Sequence, residues 1–306
     1  MIVTKYSINA VIVTVISLSV IFTLYNNFFS KKELIKENFE EKGVVKEIVE
    51  QIYDQFYSRI YDKIFHSDFR VQYEINSIHE MFLKKWKGNL KILDLGCGTG
   101  THIESLRKLK YNVDGIDISE DMQKVSKKLN PSCVIKLGNF EDKKNFKLRE
   151  YSHITSFFYT IYYSRSFDNV FRNVNYSLVP NGIFFVHVIN KQKFDPVLEK
   201  ATNLVPLYDP QKYNKERKSN TILNFNNMVY KSDWDFSHKT NVKFKEVFEF
   251  DDGNIKQNIH HLTIPSLKKI VKSANNNGFK LIKIIDLYPA NHPNNYIYCF
   301  KKIYGM

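Results

Sequence analysis

KILDLGCGTGTHIESL, residues 91–106, is an apolar run that ends in Asp94, followed by Gly96, Gly98 and Gly100 within five residues and then a helical pattern. A strand that hands over to a helix through backbone without side chains leaves room for a ligand to approach the main chain. The surrounding sequence repeats the strand-to-helix alternation. Residues 101–110 have the period of a helix, 112–117 of a strand, and 119–130 of a helix with Ser119 as N-cap and Glu120 and Asp121 in its first turn. Further strands are expected at 133–137, 154–158 and 183–189, with a helix at 167–178 and a turn at Pro180-Asn181-Gly182. Repeated units of this kind give a parallel sheet with helices on both faces, and ligands then sit beyond the carboxyl ends of the strands.

Two nucleotide-binding patterns fail on this glycine stretch. Gly96-Cys97-Gly98-Thr99-Gly100 is GxGxG, not GxGxxG, and the lysine of a phosphate-binding P-loop is missing. Asp117 nevertheless ends the next strand, where a carboxylate can accept from both hydroxyls of a ribose. The pattern suits an adenosine-like ligand without a pyrophosphate.

The chain has 306 residues, 43% hydrophobic and 25% charged, enough for a real core and too apolar for disorder. Its net charge of +13 favours anionic partners, either nucleic acid or an anionic membrane leaflet. The lysines are spread along the chain, so a composition bias without a binding role explains the charge as well. Cys97, Cys133 and Cys299 have neither CxxC nor metal spacing and read as buried thiols; no metal is expected.

Residues 1–30 are read as a transmembrane anchor. INAVIVTVISLSVIFTL, residues 8–24, is long and apolar enough to cross a bilayer, and Lys31 and Lys32 behind it favour a single-pass membrane protein with its C-terminal domain in the cytosol. Residues 31–58 are expected to form a helical connector, with Leu34, Val45, Ile48 and Ile52 at helical spacing and Gly43 as its weak point. The remainder, 59–306, is one domain. Within it, 190–262 alternates apolar and polar residues around Asp252-Gly253 and is expected to be an inserted antiparallel cap.

DLGCGTG, together with GIDIS at 115–119, resembles motifs I and II of the class I S-adenosylmethionine-dependent methyltransferases, and the resemblance covers roughly residues 57–302. It implies a Rossmann-like, doubly wound, mostly parallel seven-stranded sheet with S-adenosyl-L-methionine as cofactor. By the same resemblance, Gly96, Cys97, Gly98 and Gly100 pass the methionine end, Asp94 holds its amino group, and Asp117 with Ile118 meets the ribose. Asn139 and Phe140 would lie beside the adenine, and Ser156 and Phe157, with Phe158, would flank the methionine tail. The pattern is most similar to small-molecule enzymes of the family, including amino-sugar N-methyltransferases and glycine N-methyltransferase-like proteins. Their N-terminal YDxxY resembles Tyr61-Asp62-Lys63-Ile64-Phe65, which makes Tyr61 a candidate for the acceptor pocket. The bulky Tyr162-Tyr163 departs from the small-residue turn common in those relatives.

Methyl transfer requires mainly alignment of acceptor, methyl carbon and sulfur, and exclusion of water. A base is needed only if the acceptor must lose a proton. Tyr57, Tyr61, Tyr163, His187, His260 and His261 are the titratable candidates for that task. The expected function is methyl transfer to nitrogen or oxygen of a small-molecule or membrane-associated acceptor. Two alternatives stay open. One is RNA or DNA methylation, against which stands the lack of an Asp-Pro-Pro-Tyr-like motif; the other is a non-catalytic module whose Tyr159, Tyr162 and Tyr163 fill the acceptor pocket.

Overall fold

Two sheets and the helix wedged between them position everything that follows. The computed structural model describes residues 43–201 and 219–303. In chain order its strands are β1 (Val44–Lys46), β2 (Lys91–Leu95), β3 (Asn112–Asp117), β4 (Ile135–Leu137), β5 (Tyr151–Ser156), β6 (Leu178–Ile189), β7 (Asn220–Asn224), β8 (Met228–Asp235), β9 (Asn241–Phe250), β10 (Ile255–Thr263), β11 (Phe279–Asp286) and β12 (Asn295–Lys302). The described α-helices are α1 (Val49–Ile52), α2 (Gln55–Phe65), α3 (Asp68–Met81), α4 (Thr101–Lys108), α5 (Glu120–Leu129), α6 (Phe167–Ser177) and α7 (Leu267–Asn276).

The larger sheet has the order β11-β12-β6-β5-β2-β3-β4. β2, β3, β4, β5 and β6 run parallel to their neighbours, and β12 runs antiparallel to both β6 and β11. Central strands covered by helices on both faces are buried on both, and every residue of β5 is buried, its polar Ser152, His153, Thr155 and Ser156 included. From β2 the chain moves outward to β3 and β4, then returns to β5 on the opposite side of β2. The ends of β2 and β5 therefore flank the switch point where such sheets bind ligands.

The smaller sheet has the order β1-β10-β9-β8-β7 and is antiparallel except for the β1–β10 pair. Strand alternation sends Phe244, Glu246, Phe248 and Phe250 of β9 to its buried face and leaves Lys243 and Lys245 exposed. Against that face lies α2. Phe56 meets Phe248 and Phe250 with ring centroids 5.3 and 5.5 Å apart. Burying an aromatic of this size contributes about 1.5–3 kcal/mol. The other side of α2 is pinned to the large sheet, where Thr99 Oγ1 donates to Asp62 Oδ1 (2.9 Å) and Ser119 Oγ donates to the Tyr53 carbonyl.

Several expectations change here. Among the described residues no helix is long and apolar enough to cross a membrane, and residues 8–24 lie outside the described residues. The fold is thus a Rossmann-like domain with mixed sheets, and the N-terminal transmembrane helix, with the single-pass membrane location drawn from it, has no support. Over its described part the expected connector helix is broken. Val44–Lys46 pairs in parallel with β10, Val45 and Ile48 point outward, and only Ile52 of the three apolar residues is buried. Their helical spacing was real, but a sheet edge competed for the same backbone. The Pro180-Asn181-Gly182 turn is absorbed into β6 as an irregularity in its register with β5, with Asn181 left-handed at φ 63°.

Candidate functional site

Gly96, Gly98 and Gly100 all have left-handed backbone, with φ of 60°, 54° and 85°, which only glycine adopts readily. Their surroundings differ. A Cβ on Gly96 would lie 2.3 Å from Thr160 Cγ2, and one on Gly100 would lie 2.3 Å from Ser126 Oγ of α5. A Cβ on Gly98 would meet no atom within 4 Å. Gly100 therefore serves packing of the loop on α5, whereas Gly98 faces open space.

That space is a cleft of ≈ 860 Å³. Gly96, Gly98, Asp117, Ile118 and Met122 line one end of it, with Asn139 and Phe140 beside them. Tyr53, Tyr61, Phe158 and Tyr163 also line it, as do Val242 and Leu262 of the smaller sheet. Asp117, at the end of β3, is held from two sides: Gly98 N–H donates to Oδ2 (2.8 Å) and Ser119 N–H to Oδ1 (2.9 Å). Burial pushes this carboxyl up, and the backbone donors offset part of the effect. Each oxygen keeps a further lone pair.

A smaller recess opens beside the glycines. It is lined by Asp94, Cys97, Thr99, His102, Phe157 and Arg70, and it shares Tyr61, Gly96, Gly98, Phe158 and Thr160 with the cleft. Asp94 is 2% exposed and accepts from Thr155 Oγ1 at 2.6 Å; burial raises it to about 6, against the opposing pull of His102 and Thr155. Arg70 is equally buried. Its guanidinium lies 3.9 Å from the centre of the Phe158 ring, and its Nε pairs with Glu74 Oε1 at 3.8 Å, beyond hydrogen-bond reach. Glu74, its neighbour one turn on, accepts from His102 Nε2 at 2.8 Å. Burial would raise the Glu74 carboxyl, but His102, Arg70 and His187 outweigh that and hold it at about 2. Above the recess Phe158 and Tyr159 are both left-handed, at φ 43° and 68°. Non-glycine residues keep that conformation only where the surroundings enforce it, and such strain collects at functional sites.

The cap contributes a buried polar chain. Tyr53 and Tyr163 hydroxyls are 2.8 Å apart, Tyr163 Oη is 2.7 Å from His260 Nδ1, and His260 Nε2 is 2.7 Å from Glu246 Oε2. Glu246 is fully buried and also accepts from Tyr57 (2.8 Å), Tyr230 (2.9 Å) and Asn258 (3.3 Å). The alternation of β10 separates the histidine pair. His260 points into the chain just described, while His261 points outward to an exposed ion pair with Glu47 (3.0 Å) at the cleft mouth.

Of the residues singled out in the sequence, Gly96, Gly98, Asp117, Ile118, Asn139, Phe140, Tyr61 and Tyr163 meet in the cleft, as does His261 at its rim. Asp94, Cys97 and Phe157 meet in the recess. Ser156 is buried and lines neither, and Gly100 lies behind the loop. Cys97 packs where a Cβ on Gly115 would lie 2.7 Å from its sulfur, and burial pushes its thiol well up, so it is a packing residue and a poor nucleophile. Tyr159 and Tyr162 do not fill the acceptor space. Tyr159 donates to Asn295, and Tyr162 accepts from Ile189 N–H in the core. Tyr53, Arg70 and Glu246 went unread in the sequence. Glu246 did leave a signal, a carboxylate in phase with the apolar residues of Phe244-Lys245-Glu246-Val247-Phe248.

A model of the family described as "Methyltransferase domain" matches residues 67–284. The dTDP-4-amino-2,3,4,6-tetradeoxy-D-glucose N,N-dimethyltransferase of Saccharopolyspora spinosa is 33% identical over 96 residues, 30% of this chain and 37% of that protein. The match thus spans little more than a third of that relative's length. Among solved structures, the CcbJ methyltransferase of Streptomyces caelestis superposes with a TM-score of 0.60 at 17% identity, over 82% of this chain and 98% of that one. SAM-bound CalS10, an amino pentose methyltransferase from Micromonospora echinaspora, gives 0.56 at 13% identity over 82% and 98%. At these identities the superpositions establish the fold.

Proposed function

Because this chain belongs to the methyltransferase domain family, we propose that it is an S-adenosyl-L-methionine-dependent methyltransferase acting on a nitrogen of a small-molecule acceptor. The observation that carries this reading is the open space above left-handed Gly98, bounded by Asp117 at the end of the neighbouring strand. A cradle that a single Cβ would begin to fill suits a ligand lying on the main chain.

The donor set fits the cofactor. Asp117 has lone pairs for two vicinal hydroxyls, while Ile118, Met122 and Phe140 offer apolar surface to a purine. In the recess, buried Asp94 suits an ammonium group, while Arg70, already paired with Glu74, adds positive charge beside it that favours a carboxylate. S-adenosylmethionine, when bound, supplies a methyl group already activated on a sulfonium. The chain's own residues then orient it. Tyr61 and Phe158 line both the recess and the cleft, and the smaller sheet contributes Val242 and Leu262 to the cleft wall.

Nitrogen is preferred to oxygen because the Saccharopolyspora spinosa relative is named as an N,N-dimethyltransferase of an amino sugar nucleotide. The aromatic lining of the cleft supports the same choice, since rings attract ammonium groups by their π faces. The test is transfer of labelled methyl groups from S-adenosylmethionine to metabolite extracts by the full chain. Labelled N-methyl products are expected; labelling confined to hydroxyls or to nucleic acid would refute the acceptor class.

A further inference from the structure

We infer that Tyr163, His260 and Glu246 form a proton relay that deprotonates an acceptor amine entering the cleft as an ammonium ion. The inference rests on the methyltransferase reading and narrows its substrate to primary or secondary amines that are protonated in solution.

The direction of the hydrogen bonds follows from chemistry. A carboxylate with four donors around it only accepts, so His260 Nε2, at 2.7 Å from Glu246, carries the ring proton. In the neutral imidazole, Nδ1 is then the acceptor, and it takes the Tyr163 hydroxyl proton at 2.7 Å. With its one proton committed inward, the Tyr163 oxygen accepts from Tyr53 at 2.8 Å and keeps one more lone pair. Tyr163 is half-buried and lines the cleft, whereas His260 and Glu246 are sealed behind it. The 3-10 turn Thr160–Tyr163 ties this oxygen to the glycine loop, since Thr160 Oγ1 donates to the Gly96 carbonyl at 3.4 Å. A buried carboxylate with all four acceptor positions filled exceeds what packing of a cap strand requires, and it is placed to stabilise an imidazolium one hydrogen bond away.

In the step inferred, the ammonium N–H proton moves to the Tyr163 oxygen as the Tyr163 proton moves to His260 Nδ1, leaving an imidazolium paired with Glu246. The freed nitrogen lone pair forms the bond to the methyl carbon while the carbon–sulfur bond breaks and its electron pair returns to sulfur. The net yield is methylated ammonium, S-adenosylhomocysteine and one proton, which leaves His260 for solvent by the reverse path. Tyr163 is the catalytic residue of this scheme, and His260 and Glu246 are positioning residues. The groups facing His260 and Tyr163 are Tyr53 ahead of α2, Tyr57 and Tyr61 on α2, Tyr230 of β8 and Glu246 of β9; burial pushes all of these tyrosines upward.

The test uses the full chain and three variants, Tyr163→Phe, His260→Gln and Glu246→Gln, each checked for folding by its melting transition. Calorimetry with S-adenosylhomocysteine is expected to give one affinity for wild type and Tyr163→Phe. Methyl transfer is then followed across pH with glucosamine, spermidine and ethanolamine as probes, and with glucose and glycerol as hydroxyl controls. Tyr163→Phe should lose about 100-fold or more at neutral pH, with the loss shrinking towards wild type as rising pH supplies the free amine. In parallel, 15N spectra of labelled histidine should show His260 protonated at Nε2, and Glu246→Gln should lower the pH at which His260 takes its second proton. A loss in Tyr163→Phe that pH does not rescue, no loss, transfer to the hydroxyl controls alone, or a His260 proton on Nδ1 would each overturn the relay while leaving methyl transfer standing. A folded wild-type chain that binds S-adenosylhomocysteine but methylates no amine also overturns it. Failure to bind S-adenosylhomocysteine at all would instead remove the underlying reading, and the relay with it.

Discussion

At Gly98 a methyl group would meet no atom within 4 Å, and at Gly96 it would run into Thr160. Two neighbouring glycines thus make opposite forecasts. Gly98→Ala should remain folded, with a left-handed penalty of about 1–2 kcal/mol, yet lose cofactor affinity. Gly96→Ala should lose more stability, because the Thr160 turn must move; thermal melting and calorimetry on both variants check this. Asp94 adds a dependence on pH. Its folded carboxyl titrates at about 6, above its unfolded value, so the stability it contributes is present at low pH and is lost as pH rises through about 6. Cofactor affinity should run the other way, because an ammonium partner needs the ionised form. We expect affinity to fall by up to about tenfold per pH unit below 6, with an Asp94→Asn variant weak at every pH. The glycine run, Asp94 and Asp117 were legible in sequence because their chemistry is local. The split between Gly98 and Gly100 was not, since it depends on which face of the loop meets α5.

The element that links the two sheets is α2. Its Asp54 N-cap accepts from Tyr57 N–H, Phe56 packs on β9, and Asp62 is bound by Thr99 of the glycine loop. Phe56→Ala should therefore cost about 3–5 kcal/mol in urea unfolding. It should also weaken cofactor binding more than an equally destabilising substitution at buried Ile270 of α7, a helix packed on α6 and β11. The histidine pair of β10 makes a second forecast. His261→Ala breaks an exposed pair with Glu47, worth at most about 1 kcal/mol, and should leave melting nearly unchanged, whereas His260→Ala removes one of the four donors to buried Glu246 and the inward partner of Tyr163, and should lower it clearly. Period-2 alternation in 219–262 was readable, and so was the helical character of 167–177. The strand Val44–Lys46 was not, because its hydrogen-bond partner lies more than 200 residues away, and a three-residue edge strand leaves no periodicity of its own.

The described molecule is a mostly parallel sheet that supplies a ligand cradle and a second sheet that lines it, with Tyr53 at the end of α1, Tyr61 of α2 and Tyr163 of the turn after β5 beside the opening. The mostly parallel sheet followed from the alternation of elements; its strand order did not. The buried Glu246–His260–Tyr163 chain did not, because it joins residues of β9 and β10 to a turn after β5 that only tertiary packing brings together. The apolar stretch at 8–24 misled the reading of location, and the described structure gives that reading no support. The claim on which the rest depends is that the cradle at the ends of β2 and β3 holds S-adenosylmethionine through Asp117. Calorimetry of the full chain and of Asp117→Ala tests it directly. Hydrogen bonds to a charged acceptor contribute about 1.5–3 kcal/mol each, so the variant should bind on the order of 10- to 1,000-fold more weakly. It should also melt somewhat lower, having lost the acceptor of Gly98 and Ser119. A folded wild-type chain that binds no S-adenosylmethionine, or an Asp117→Ala variant with lower melting and unchanged affinity, would contradict the account.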